Sequence, residues 1–368
     1  VGADPVLLGV VPVPVVPFMI KKMGADAGIM ISGSHNSAEF NGIKVFDSQG
    51  HKLTDDIEEK IEYLVLEDPQ QIPLASHVRE IVDTDLSGMK IAVDCANGCA
   101  SETAEKLYAL MGAEVFVTSS SPDGTNINQG CGNNDIEAFA EVVAENGCDC
   151  GLVFDGDADR CLAVAEDGQL IDGDRLLAIF ADDMKKNGCL KEDTAVITIM
   201  SNMGLRSYAA ERGINLVTAG AGHRYVLERM LEGGYNLGGE PSGHMIFLDD
   251  SPTGDGQLTG AKLLKIMKES GSKLSELAAD MVKLPQVMVN VRIDPQFKEL
   301  WKNDKEVSEL IKELDSSLGE EGRIIVRESG TEPLIRIMAE GSDFGRINDI
   351  AFQISDKLKE KFRIKKPS

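Results

Sequence analysis

Apolar and polar positions fall into blocks whose period changes along the chain. AGIMI, residues 27–31, is a short apolar run that predicts a buried strand, and GSHNS follows at residues 33–37 with no apolar residue of its own. KLTDDIEEKIEYLVLED turns acidic after Thr54 and spaces Ile57, Ile61 and Leu64 at helical intervals, which predicts an amphipathic helix. MKIAVDCANGCASETAEKLYALMGAEVFVTSS then reads strand, loop, helix, a stop at Gly112, strand. AVITIMSNMGLRSYAAERGINLVTAG repeats that order, with Asn202 and Gly204 in the loop where the earlier unit has Asn97 and Gly98. Two such units predict related α/β domains, in which parallel strands carry chemistry in loops at their carboxyl ends. GSHNS holds that kind of position. Beyond Pro285 the pattern changes to VMVNVRI, a polar helix near 303–318, RIIVR, a tight loop, LIRIMAE and a last helix near 344–362, an α+β arrangement expected to be a small domain of its own.

At 368 residues the chain suits two to four domains, given roughly 100–200 residues per domain. The formal net charge of -24 counts against a nucleic-acid partner, which needs a concentrated basic footprint, while leaving room for a small anion held by a few arginines. No apolar run is long enough to span a bilayer and no signal peptide is visible, so no membrane partner is expected. Cys95, Cys99, Cys131, Cys148, Cys150, Cys161 and Cys189 are odd in number and lack paired C-x-x-C spacing, which fits reduced core thiols in a cytoplasm rather than a zinc site. VGADPVLLGVVPVP reads as the middle of a domain, so further sequence is expected upstream. Charge says nothing of assembly, and monomer and homodimer both stay open.

Four loops could carry chemistry. In LVFDGDADRCLAVAEDGQLI the acids Asp155, Asp157 and Asp159 recur with period two, so in extended backbone they face one side. Two unit charges 4 Å apart repel by about 4 kcal/mol at an effective dielectric near 20, so such a trio needs a cation or must protonate, and a hard divalent ion is the natural partner. A solvated acidic turn is the plainer reading. An EF-hand is rejected because its sixth position, which needs glycine, is Arg160 and because both flanks look like strands. IIVRESGTEPLIRIM sets Arg327 and Arg336 at the shoulders of a Ser-Gly-Thr loop, chemistry that suits a phosphate, unless those arginines merely pair with Glu328 and Glu332. LGGEPSGHMIF alternates Glu240, Ser242 and His244, a pattern fit for sugar hydroxyls or for a capped turn before a strand. GSHNS lacks the G-x-S-x-G spacing of a hydrolase elbow, so Ser34 is a nucleophile only if a neighbour takes its proton; His35 and Lys44 are nearest in sequence.

Taken together, ISGSHNSAEFNGIKVF, DGDADR, GEPSGH and RESGTEPLIR resemble the four signature loops of the α-D-phosphohexomutases, in that family's order and over nearly the whole chain. The resemblance implies a multi-domain α/β fold, three related α/β domains with mixed sheets followed by a C-terminal α+β domain. Their expected limits are 1–78 for the serine loop, 79–172 for the metal loop, 173–284 for the sugar loop and 285–368 for the phosphate loop. It also implies an isomerase in which Ser34 carries a phosphoryl group and Mg²⁺ is held by Asp155, Asp157, Asp159 and an oxygen on Ser34, with a hexose bisphosphate as intermediate and activator. His35 and Lys44 become candidate acid/base groups, with Arg160 beside the metal. Glu240, Ser242, His244 and His223 would line the sugar, and Arg327, Ser329, Gly330, Thr331 and Arg336 the distal phosphate.

PDGTNINQGCG, GHRYVLERM and KLPQVMVNVRI look most like the branch that interconverts glucosamine 6-phosphate and glucosamine 1-phosphate, whereas Gly222-His223 is more typical of the mannose and glucose branch. The family's N-terminal G-T-D-G-x-R-G and G-R-D-x-R stretches have no counterpart here, which implies an incomplete first domain and leaves, as an alternative reading, a fragment that binds sugar phosphate with impaired turnover. A phosphatase is the reading from another class, since FDGDAD superficially matches a D-x-D nucleophile motif with Asp155 attacking phosphorus.

Overall fold

The computed structural model describes residues 6–34, 42–52, 76–293, 300–328 and 334–362. The helix expected after Thr54 lies outside the described residues. The chain divides into two compact units, one of Val1–Ser201 with Leu205–Met281 and one of Asn202–Gly204 with Val282–Ser368.

Among the described residues, three sheets build the first unit. Strands β1 (Ala27–Ile31) and β2 (Ile43–Asp47) form an antiparallel pair with Ile31 opposite Ile43. Helix Val15–Met23 lies across them because residue 28 is glycine: a Cβ there would come within 2.6 Å of Ile20 and Val16. Val11, Val13, Val16, Ile20, Met30 and Phe46 close that small core. The apolar run AGIMI is not the buried strand its composition predicts, since Ile29 and Ile31 are 46% and 64% exposed. Among the described residues its ladder has two strands and its core lies on the side of Met30 and Phe46, so alternate residues face outward.

The second sheet has the order β4-β3-β5-β6-β7, from β3 (Lys90–Asp94), β4 (Glu114–Thr118), β5 (Cys150–Phe154), β6 (Cys161–Ala165) and β7 (Leu170–Ile171). Strand β3 runs parallel to β4 and β5, while β6 and β7 run antiparallel. The third, of order β11-β10-β8-β9, combines parallel β8 (Thr194–Thr198), β9 (Asn215–Ala219) and β10 (Leu237–Gly239) with antiparallel β11 (Met245–Phe247). Both are mixed because each takes its functional loop through a hairpin instead of a helical crossover. One core runs through the two sheets, with Leu107, Tyr108, Leu152, Phe154, Ile197, Leu237 and Leu264 fully buried. Helix Gly256–Ser270 ties them: Tyr108 donates to the Gln257 carbonyl at 3.0 Å and the Gln257 amide donates to Thr103 at 2.6 Å. The loops on these sheets are therefore held in register by packing between their domains.

The second unit is an antiparallel sheet of order β12-β14-β13, from β12 (Gln286–Arg292), β13 (Gly322–Glu328) and β14 (Leu334–Gly341), packed against helices Lys305–Leu318 and Phe344–Phe362. Asp304 caps the first of these helices, accepting from the Val307 amide at 3.1 Å. Among the described residues no helix is long and apolar enough to cross a membrane. All seven cysteines are free thiols.

Candidate active site

The DGDADR loop joins two strands buried along their whole length, β5 and β6, so its side chains start inside the protein. Asp155, Asp157 and Asp159 are at most 4% exposed, and one oxygen from each lies within 4.8 Å of the others. They converge through a tight turn and not through the extended alternation that their spacing suggests. Ala158 adopts a left-handed φ of 55°, and its amide donates to the Asp155 carbonyl at 3.0 Å.

Burying three carboxylates is costly unless cations face them. Lys44 on β2 donates to Asp157 and, at 3.0 Å, to Asp159; the Arg160 guanidinium lies 3.8 Å from both Asp155 and Asp159. Three carboxylates against two cations leave one negative charge uncompensated. Burial, then Asp157 and Asp159, push the Asp155 carboxyl well above its ordinary value. Burial works in the same sense on Asp159, but Lys44, His244 and Arg160 overcome it and hold that carboxyl well below. Burial pulls the Lys44 ammonium down, yet Asp159 and Asp157 outweigh it and keep the group protonated. Asp157 Oδ1 and Asp159 Oδ1, both buried, have no partner within hydrogen-bond distance among the described residues. An all-oxygen donor set with buried, unsatisfied acceptors fits a hard divalent cation such as Mg²⁺.

Ser34 comes to this cluster from the first sheet. Its Oγ lies 3.4 Å from Asp155 Oδ2, across 121 positions of chain, and its own φ is 53°. Close approach depends on glycine, since a Cβ on Gly156 would sit 2.3 Å from the Ser34 carbonyl oxygen. His35 lies outside the described residues.

The sugar-loop candidates sit on the hairpin between β10 and β11. Gly243, at φ 89°, closes a turn in which its amide donates to the Glu240 carbonyl at 3.0 Å, so Glu240 and His244 face each other across the hairpin instead of alternating along a strand. The hairpin docks on the metal loop through the Cys161 amide, which donates to the Gly243 carbonyl at 3.1 Å. Glu240 accepts from the Gly222 amide at 3.0 Å, and Ser242 is half-buried beside it. His244 is buried, and its Nε2 accepts from the Gly254 amide at 3.2 Å. Its proton therefore belongs on Nδ1, 3.6 Å from Asp159 Oδ1. His223 opens helix His223–Gly233 and stacks on His244 with ring centroids 4.8 Å apart. Burial pushes the His223 imidazole down to about 3, so it is neutral at ordinary pH.

In the second unit, Arg327 and Arg336 stand directly opposite each other on β13 and β14. Two like charges at facing positions repel, and an anion between them would relieve that. The Glu328 carboxylate accepts from Trp301 at 3.0 Å and from Lys302 at 3.2 Å, and Glu332 lies outside the described residues. Ser329, Gly330 and Thr331 lie outside the described residues.

Among residues that the motif reading passed over, Asn128 donates to the Ser34 carbonyl at 3.0 Å. PDGTNINQGCG shows that this loop is distinctive, but no local pattern links Asn128 to a serine 94 positions away.

Comparison with known proteins covers the chain with four family models. Phosphoglucomutase/phosphomannomutase alpha/beta/alpha domains I, II and III match residues 1–71, 74–168 and 172–284, and the C-terminal domain matches 288–357. The phosphoglucosamine mutase of Acetivibrio thermocellus is 47% identical over 98% of this chain and 85% of its own length. That of Clostridium acetobutylicum is 45% identical with the same coverage. Among solved structures, a phosphoglucomutase/phosphomannomutase family protein from Burkholderia thailandensis superposes with a TM-score of 0.77 at 24% identity, covering 99% of this chain and 85% of that one. Aspergillus fumigatus N-acetylphosphoglucosamine mutase, in complex with GlcNAc-6P and magnesium, gives 0.71 at 17% identity over 95% of this chain and 92% of its own.

Proposed function

The chain belongs to the phosphoglucomutase/phosphomannomutase family, and from that premise we infer that it interconverts glucosamine 6-phosphate and glucosamine 1-phosphate, with Ser34 carrying the phosphoryl group. The observation that most directly supports the reaction class is the meeting of the Ser34 hydroxyl, from one sheet, with three buried carboxylates from another. The choice of glucosamine rests on relatives at 45–47% identity. His223, stacked on His244, is the feature that favours a glucose or mannose phosphate instead.

Phosphoryl transfer asks for in-line positioning and charge neutralisation more than for covalent chemistry. Passing the group from Ser34 to a sugar hydroxyl breaks the Oγ–P bond and makes a sugar O–P bond. The sugar oxygen gives up a proton and Ser34 Oγ takes one. The bisphosphate then turns, and its other phosphate returns to Ser34 with the protons moving in reverse. A hexose bisphosphate is thus the intermediate and, when added from outside, the activator. Lys44, held protonated by Asp159 and Asp157, is suited to neutralising charge rather than to exchanging a proton. His35 is left as the candidate base, and Arg160 adds a second fixed cation beside Asp155. Mg²⁺ bound by Asp155, Asp157, Asp159 and an oxygen on Ser34 would supply Lewis-acid neutralisation of the phosphoryl oxygens. Glu240, Ser242, His244 and His223 are assigned to the sugar, and Arg327, Ser329, Gly330, Thr331 and Arg336 to the phosphate that is not being transferred. The domain limits 1–78, 79–172, 173–284 and 285–368, and a cytoplasmic location consistent with the free thiols, belong to the same proposal.

Comparing turnover of glucosamine, glucose and mannose 6-phosphates with Mg²⁺ and a hexose 1,6-bisphosphate tests this. Glucosamine 6-phosphate should have the highest kcat/KM. Faster turnover of glucose or mannose 6-phosphate moves the protein to the sister branch. No turnover of any, with no phosphate on Ser34 by mass spectrometry, sinks the mutase reading.

A further inference from the structure

We propose that Asn128 is a positioning residue, a clamp on the serine loop that sets where Ser34 Oγ lies against the metal-site carboxylates; this rests on the mutase reading of that serine. Ser34 is held in a left-handed conformation, which an L-residue with a side chain adopts only when its surroundings impose it. Both of its backbone polar groups are engaged. The amide donates to Ser32 Oγ at 2.9 Å, and the carbonyl lies over the bare Cα of Gly156 while accepting from Asn128 Nδ2 at 3.0 Å.

The clamp itself is fixed. Asn128 has a φ of 57°, a region that Asn tolerates better than other residues with a side chain, and its amide donates to the Ala96 carbonyl at 2.9 Å. Buried Asp94, at the end of β3, accepts from the Ala96 amide at 2.8 Å and the Gly132 amide at 3.0 Å, one with each oxygen. Five residues beyond Asn128, the Asn133 amide reaches the Ser242 carbonyl at 3.4 Å, so this one segment touches both the serine loop and the sugar loop. Strand β3 pairs with β5, whose end carries Asp155. The amide that holds Ser34 and the carboxylate that Ser34 faces are therefore both referenced to the same sheet. A loop so anchored converts a peripheral hydrogen bond into the alignment of a reacting oxygen, and small losses of alignment cost rate much more than binding.

Two variants of the full chain separate this from a purely structural role. Asn128→Asp keeps the shape and the tolerance of positive φ but replaces the donor with an acceptor. Asn128→Gly keeps the backbone and removes the side chain. Both should lower kcat for the preferred sugar phosphate by about tenfold or more and leave KM within about twofold. Exchange of the Ser34 amide, resolved by electron-transfer fragmentation, should quicken in both. If kcat and Ser34 exchange match the unmodified protein in both variants, the clamp is refuted; a raised KM at unchanged kcat refutes it too, marking Asn128 as a substrate contact. An unmodified protein inactive on every sugar phosphate would remove the mutase reading, and Ser34 exchange would still decide the clamp.

Discussion

Replacing Lys44 with methionine removes the ammonium from between Asp157 and Asp159 while keeping most of the side-chain volume. The lysine side chain is only 17% exposed, and those of the two carboxylates 0% and 5%, so solvent offers little compensation. At an effective dielectric near 20, a unit pair at 3 Å attracts by about 5 kcal/mol before desolvation is counted, and removing one partner of a buried pair costs about 3–5 kcal/mol. The variant has one escape, since a carboxyl can take up a proton. At pH 7.5 that costs about 5 kcal/mol for an aspartate of ordinary pKa, and at pH 5.5 about 2 kcal/mol. The defect should therefore be about 3–5 kcal/mol at pH 7.5 and shrink toward about 2 at pH 5.5. The sign follows from linkage. A carboxyl whose folded pKa is raised binds protons in the folded state at pH values where the unfolded chain does not, so acid relieves the variant across that window. Urea unfolding followed by far-UV circular dichroism measures the loss, with fluorescence of Trp301, the single tryptophan and a residue of the second unit, as internal reference. Millimolar Mg²⁺ should raise the midpoint more in Lys44→Met than in the unmodified protein, because no ammonium then competes for Asp157 and Asp159. A loss below about 1 kcal/mol, a loss that grows on acidification, or an equal response to Mg²⁺ would refute the reasoning.

Ser34→Ala should abolish both the acid-stable phosphate adduct and mutase turnover, read by intact-mass spectrometry and a coupled assay, with little change in Tm because its 3.4 Å approach to Asp155 is long for an O–H···O bond. Asp157→Asn should eliminate the Tm increase on adding Mg²⁺, and treating the unmodified protein with a chelator should mimic its loss of activity. Arg336→Ala should raise KM for the sugar phosphate by about tenfold or more with a smaller effect on kcat, as the loss of a charge-assisted phosphate contact predicts, measured by initial rates at varied substrate. Asp94→Asn sets an amide donor against an amide donor at Ala96 or Gly132, and should cost about 1–3 kcal/mol in denaturant unfolding.

Local pattern was enough for the elements around the chemistry. The order strand, loop, helix, strand in 89–120 and 195–220 is visible because apolar period and turn residues are properties of neighbours. Each of the four loops stood out by its own composition. Periodicity misled where a turn intervened: Asp155 to Asp159 and Glu240 to His244 alternate like strand residues, yet each set is folded over a positive φ, at Ala158 and at Gly243. It misled also at AGIMI, where composition promised burial and a two-stranded ladder left Ile29 and Ile31 outward.

What the sequence determined by itself was the chemistry on offer: a serine, a trio of acids, the alternating Glu240, Ser242 and His244, and a pair of arginines. Tertiary structure alone decided the pairings among the described residues, Ser34 with Asp155, Lys44 with Asp157 and Asp159, His244 with Asp159, and Asn128 with Ser34. The physical reason is that ionisation and alignment depend on distance and burial. Both arise only when chain segments some 80 to 120 residues apart pack around a shared core.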